Sequence, residues 1–227
     1  MIKKFNLSPN IVDLVGHAMS FYQDDNFIEE PALPTMKRIR NYMHLCSRYQ
    51  GSPFQYPLQG MHTIFNLFAT NFKNSGGTFY PNRDVEEILK NEEGKVTGII
   101  SRGEIIRCKS IICHPSYMIR TGNHSRVAKI GKAIRCKCIL NHPIPNTNDE
   151  KSFQVILPQR QTGRKSDISI VSFSSEHEMC SSGYFIVVIS TIAESNDSEN
   201  EIKPALDLLG PILEKFFIVK FFLNQKL

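Results

Sequence analysis

The sequence predicts an α/β protein in two successive parts, helices first and short strands after. Three observations carry this. Residues 9–48 place apolar side chains three and four apart, the period of a helix. From Val85 onward the chain breaks into short runs rich in Val and Ile, separated by glycine turns. Between them lies Arg48-Tyr49-Gln50-Gly51-Ser52-Pro53-Phe54-Gln55-Tyr56-Pro57, whose glycine, serine and prolines interrupt both periods and define a loop.

Ser8-Pro9 opens the first helix, with Ser as N-cap and Pro at the first helical position. Ile11, Leu14, Val15, Ala18, Met19 and Tyr22 then share one face. Asp24 to Pro34 is acidic and proline-bearing, hence a connector. A second helix is predicted from Thr35 to Arg48, with Met36, Ile39, Met43 and Cys46 on its apolar side. Methionine adapts its shape to irregular space. The two stripes read either as an ordinary helix–helix core or as a small helical unit that opens for an aliphatic chain. The loop that follows carries Tyr49, Phe54 and Tyr56. Its rings either pack the loop onto the helix ends or present a contact surface for another protein.

Ile64, Phe65, Leu67, Phe68 and Phe72 predict a short buried helix ended by Ser75-Gly76-Gly77. Strands are predicted at 85–89, 95–101 and 104–108, turned by Glu93-Gly94 and Arg102-Gly103. Ser110 to His114 has the apolar character of a buried strand and stops at Pro115. Arg120 to Gly131 is a basic surface segment, and Ala133 to Leu140 a strand. Asn146-Thr147-Asn148-Asp149 is turn chemistry. Strands follow at 153–157, 168–173 and 184–191, then an acidic loop to Glu201. A helix bent or split at Gly210-Pro211 is predicted over 202–217, and the tail 218–227 carries an apolar patch, Phe221-Phe222-Leu223.

The formal charge of +5 on 227 residues is modest, and no Lys/Arg run marks a nucleic-acid tract. Lys37-Arg38-Ile39-Arg40 is the densest basic patch, and Ile39 within it fits a helical stripe. No segment has the composition of a signal peptide, and none reaches the roughly 20 apolar residues a spanning helix needs. The cytoplasm is the expected compartment and the six cysteines are expected as thiols. Cys108, Cys113, His114, Cys136 and Cys138 lack the spacing of zinc modules, and no metal is expected. Cys136 and Cys138 alternate with Arg135 and Lys137, which puts both thiols on one face of a strand as structural residues. No catalytic motif is present; Ser166-Asp167 and Glu176-His177-Glu178 make a triad only on paper. A binding protein rather than an enzyme is the expectation.

Several blocks resemble the Rab GDP dissociation inhibitor family: Val15-Gly16-His17-Ala18, Arg48-Tyr49 with Ser52-Pro53, Gly76-Gly77-Thr78-Phe79, and Pro115-Ser116-Tyr117. The most specific are His142-Pro143-Ile144 with Asn146-Thr147-Asn148-Asp149, and Arg164-Lys165-Ser166-Asp167-Ile168. These two favour the inhibitor over its relative, the Rab escort protein. The resemblance implies a partial FAD/NAD(P)-binding-like multi-sheet domain with a small helical subdomain, acting without flavin or other cofactor. It implies binding of prenylated GDP-bound Rab GTPases, shelter for a geranylgeranyl lipid, and transient contact with a membrane surface, but no nucleic acid. In these terms residues 1–57 are the helical, prenyl-pocket-like portion with the effector-like loop. Residues 58–217 are the multi-sheet, Rab-platform-like portion, and 218–227 a divergent tail.

The resemblance assigns Val15, Met19, Ile39 and Met43 to the prenyl pocket. Arg48, Ser52 and Phe54 fall in a mobile loop for Rab and membrane recognition, Phe54 replacing a tyrosine. The Rab platform is degenerate: Thr63 stands for a glutamate, Thr70 for an arginine and Tyr80 for a methionine. The family's glycine-rich N-terminal strand–turn–helix and first Rab-contacting tyrosine have no counterpart, and the match is expected to end near Phe217. The expectation is a truncated, diverged member with impaired Rab binding. The alternatives are a non-functional remnant and an escort-like accessory protein for prenylation.

Overall fold

The structure, a computed structural model, describes residues 5–49, 53–120 and 127–225. It is mixed α/β, as expected, with two sheets whose recorded strand pairings are all antiparallel. Compactness groups the chain into one unit of residues 1–64 with 132–220 and a second of 65–131 with 221–227. The sequential division at 57 and 217 follows element type instead.

In the first unit, helix α1 (Pro9–Asp13) runs into a π-helical stretch over Leu14–Met19. A 3₁₀ turn at Asp25–Ile28 and helix α2 (Ala32–Arg48) follow. The expected connector 24–34 is thus partly helical: Pro34 sits in the first turn of α2, where its missing N–H costs nothing. The sheet β5 (Phe153–Leu157), β6 (Ile168–Ser174), β7 (Phe185–Ile192), β4 (Val127–Leu140), β8 (Glu214–Gln225) is ordered as written. β7 alternates buried and half-buried residues along its whole length, the signature of a strand with one face inward. Ile134, Cys136, Cys138 and Leu140 of β4 pack with Ile168, Ile170, Val187 and Ile189, capped by Ile202, Ala205 and Leu209. Cys136 and Cys138 are fully buried on one face as predicted, and burial pushes the Cys138 thiol up to about 12.

The predicted helix 202–217 is corrected. Helical turns end at Asp207, Gly210 takes φ +75°, and 214–225 is a strand beside β4. Phe216-Phe217-Ile218-Val219 suits either period, and of the bend or split expected at Gly210-Pro211 the segment takes the split.

In the second unit, helix α3 (His62–Asn74) continues from the first and ends at the predicted Ser75-Gly76-Gly77. It buries no residue, against the expected buried helix. The strands β1 (Glu87–Lys90), β2 (Val96–Ser101) and β3 (Glu104–Arg107) form a meander within a residue or two of prediction. Arg102 and Gly103 both have positive φ, as the two-residue hairpin turn requires. Arg83 pins this meander through Ser101 and Glu104. Residues 110–114, predicted as a buried strand, join neither sheet. β4 starts at Val127, inside the segment expected to be surface chain.

Candidate functional site

The helical segment of the first unit buries polar residues most deeply and leaves Val15, Ala18, Met19 and Tyr22 of its apolar stripe half-buried. The residues it buries are Val12, Asp13, Gly16, His17 and Ser20, spaced as one helical face. Ile11 and Leu14 of the apolar stripe point to solvent instead, Leu14 with 55% of its surface exposed.

The polar inward face is held by matched partners. His17 Nδ1 lies 2.6 Å from Asp167 Oδ2 and 3.1 Å from the Tyr22 carbonyl oxygen; its Nε2 lies 3.0 Å from Asp25 Oδ1. Burial pushes the imidazole toward neutrality, but the Asp167 carboxylate and then Asp25 outweigh it and raise the pKa to about 9. The ring is therefore an imidazolium at neutral pH, donating from both nitrogens. Asp13 pairs with Arg160 at 2.6 Å. Asp13, His17 and Asp25 are the group with metal-ligand spacing among the described residues, and Asp13 pairs with Arg160 while His17 pairs with Asp167 and Asp25.

Asp167 also fixes the chain around it. It accepts from the Gln159 amide at 2.9 Å, and its own carbonyl accepts from the Thr191 hydroxyl at 2.8 Å. Arg164 nearby reaches Glu201 at 2.8 Å, Glu194 at 3.2 Å and the Ile192 carbonyl at 2.7 Å. Burial pushes the Glu201 carboxyl up, but the Glu194 amide, the Ser195 hydroxyl and Arg164 hold it below its usual range.

Polar groups also clamp α2 onto this segment. Tyr22 stacks on Phe27 at 4.7 Å, meets Thr35 through its hydroxyl at 3.1 Å, and lies under the Arg38 guanidinium at 4.3 Å. Thr35 is the one fully buried residue of α2. Met36 is exposed and Met43 has 55% of its surface free, while Ile39 and Cys46 are half-buried.

Of the predicted pocket residues, Val15, Met19 and Ile39 are half-buried and Met43 exposed. In the recognition loop, Arg48 ends α2 with its guanidinium 5.5 Å from the Tyr49 ring. Phe54 meets Phe21 edge-on at 5.6 Å, and Phe21 lies 6.1 Å from Tyr42 of α2. Phe21 holds φ +57°, a position that favours glycine, and so carries an exposed ring where the helix closes. Tyr56 rests on Phe173 of β6 at 4.5 Å. Phe54 and Tyr56 each pack against a neighbouring ring and stay partly exposed. Ser52 lies outside the described residues.

The three platform positions are each occupied locally. Thr63 donates to the Leu58 carbonyl at 3.1 Å, Thr70 donates to Asn66 within its own helix at 2.9 Å, and Tyr80 lies 5.0 Å below the Arg83 guanidinium. None presents a free charge. Sequence reasoning missed Phe21, Tyr22 and Arg38, since nothing in a single sequence marks Phe21 as left-handed or pairs Tyr22 with Arg38.

The profile of the GDP dissociation inhibitor family matches residues 1–225. The chain belongs to the GDP dissociation inhibitor family. It is 43% identical over 224 residues to Rab GDP dissociation inhibitor beta of Canis lupus familiaris, covering 99% of this chain and 49% of that one. It is 42% identical to guanosine nucleotide diphosphate dissociation inhibitor 1 of Arabidopsis thaliana over 218 residues, 96% of this chain and 48% of the other. The crystal structure of Rab GDI from Plasmodium falciparum superimposes with TM-score 0.92 at 40% identity, over 99% of this chain and 50% of that one. The chain thus spans about half the length of the relatives it matches. The family match runs past Phe217, so the tail keeps the pattern beyond the point where the resemblance was expected to stop. No helix among the described residues is long and apolar enough to cross a membrane.

Proposed function

We propose that this GDI-family chain binds prenylated, GDP-bound Rab GTPases in the cytoplasm and regulates their membrane cycling in vesicle transport, as a binder and not a catalyst. The observation that carries the reading is the exposure of Ile11 and Leu14 in the first helical segment and of Met36 and Met43 on α2, in a chain whose family match covers residues 1–225. Each methylene of a prenyl chain moved out of water is worth about 0.8 kcal/mol, so a protein surface that covers geranylgeranyl competes with the bilayer. Val15, Met19, Ile39 and Met43 supply that surface. Arg48, Ser52 and Phe54 recognise the GTPase during transient membrane contact. Thr63, Thr70 and Tyr80 weaken the grip: one lost partner of a buried charge contact costs about 2–5 kcal/mol.

The test is extraction. Vesicles loaded with prenylated, GDP-bound Rab are incubated with the purified chain and sedimented. Rab in the supernatant, rising with added protein, is the expected result; none at high molar excess overturns the reading.

A further inference from the structure

In the first unit, the inner face of β5 and β6 carries a hydroxyl that the fold does not use. Ser172 is fully buried, and its Oγ has no hydrogen-bond partner among the described residues. Buried polar groups are nearly always paired, so one left over marks a place where something else can bond. Its neighbours on that face are Phe153, directly across the ladder, and Ile170, two positions along the strand. Both line a cavity of about 360 Å³. Ile144 and Val155 extend its apolar wall, while Asn146 and Leu208, both exposed, stand on its open side.

The walls are fixed by the protein's own bonds. His142 Nε2 lies 2.9 Å from the Pro211 carbonyl oxygen, and the Thr147 hydroxyl donates to the Ile144 carbonyl at 2.6 Å. Such a preformed hollow spends little binding energy on ordering, and its volume lies at the small end of ligand pockets. The inner end selects the ligand. The acidic group of the lining, Asp207, is exposed and paired with Lys203 at 2.8 Å, so no charge waits beside Ser172. A carboxylate or ammonium pushed to that end would be buried without a counter-ion. A hydroxyl would not, because Ser172 can donate to it or accept from it. We propose that this cavity binds a neutral aliphatic alcohol of medium chain length, its hydroxyl bonded to Ser172 Oγ and its chain lying along Phe153, Val155 and Ile170. None of the residues assigned to lipid or GTPase binding lies in this lining.

The probes are n-octanol, octanoate and octylamine, titrated into the full chain with isotope-labelled Ile, Leu and Val methyl groups and followed by NMR. n-Octanol is expected to shift the methyl signals of Ile144, Val155 and Ile170 saturably and to leave Ile105 and Ile106 of β3 unmoved. Octanoate and octylamine should bind roughly tenfold more weakly or not at all. Ser172→Ala removes a hydroxyl that has no partner, so the fold should tolerate it, and octanol affinity should fall by roughly tenfold. Leu208→Glu, a change at an exposed side chain of the lining, should weaken octanol as well and keeps the test open if Ser172→Ala fails to fold. No saturable shift overturns the proposal. So do shifts spread equally over β3, tighter binding of either charged probe, or an octanol affinity indifferent to Ser172→Ala.

Discussion

His17 Nδ1 lies 2.6 Å from Asp167 Oδ2, joining the Val15–Ala18 block to the Arg164–Ile168 block across 150 positions of sequence. Both groups are buried, so the pair ties the helical segment to the sheet wherever His17 is charged. The pKa of His17 rises from 6.5 to about 9 on folding. A raised folded-state pKa stabilises fully below the unfolded value. The stabilisation is therefore complete below pH 6.5 and is lost as pH climbs through about 9. Asp167→Asn leaves an imidazolium short of its counter-ion, and breaking such a pair costs about 3–5 kcal/mol. Urea unfolding at a series of pH values should show the gap between wild type and variant narrowing as His17 deprotonates. A gap that stays constant from pH 6.5 to 9 would contradict this account.

Both halves of that contact are visible in the sequence as family-like blocks, but nothing there says they touch. The hydrophobic pattern of residues 11–22 identifies an apolar face but not the burial of Asp13 and His17 beside it. Periodicity reports a difference between faces, and the burial of Asp13 and His17 depends on partners at 160 and 167 that no local window contains. β1–β3 and β5–β7 were legible because glycine turns and a period of two bound each of them. Ser110–His114 was misread for the opposite reason: its composition matches a buried strand, yet it pairs with neither sheet and Ile112 is exposed.

Gly16 is required by Phe27. A Cβ on Gly16 would come within 2.0 Å of Phe27 Cζ, and the ring is itself buried against His17 and Tyr22. Gly16→Ala forces the ring out of place, a clash worth about 1–3 kcal/mol. Phe27→Leu, costly alone, should recover part of the Gly16→Ala loss when the two are combined. Thermal unfolding of the single and double variants measures this, and strict additivity would show that the ring is not the obstacle.

Lipid capture should respond to changes that stability ignores. Leu14 and Met43 are more than half exposed. Leu14→Lys and Met43→Lys should each shift unfolding free energy by no more than about 0.5 kcal/mol. A lysine ammonium in the path of a prenyl chain must be desolvated, so affinity for a fluorescent geranylgeranylated peptide should fall by roughly tenfold or more for Met43→Lys. Unchanged titrations for both variants would remove the outward stripe from the lipid-binding surface.

Thr63 and Thr70 lie on α3 seven residues apart, about two helical turns, and each satisfies its hydroxyl on a carbonyl close by in the chain. Replacing them with the charged residues the family resemblance places there, as Thr63→Glu with Thr70→Arg, gives up two local hydrogen bonds worth roughly 0.5–1.5 kcal/mol each. α3 buries no residue, so longer side chains meet no steric obstacle. If the platform is degenerate for want of charge, the double variant should bind GDP-bound Rab at least about tenfold more tightly than wild type, since one recovered charge contact is worth 1.4 kcal/mol or more. The gain should shrink as salt is added, because exposed charge pairs are screened over about 10 Å at 0.1 M. Calorimetric titration of prenylated Rab at two salt concentrations reads both effects. Equal affinities for wild type and variant would show that the deficit lies elsewhere than in Thr63 and Thr70.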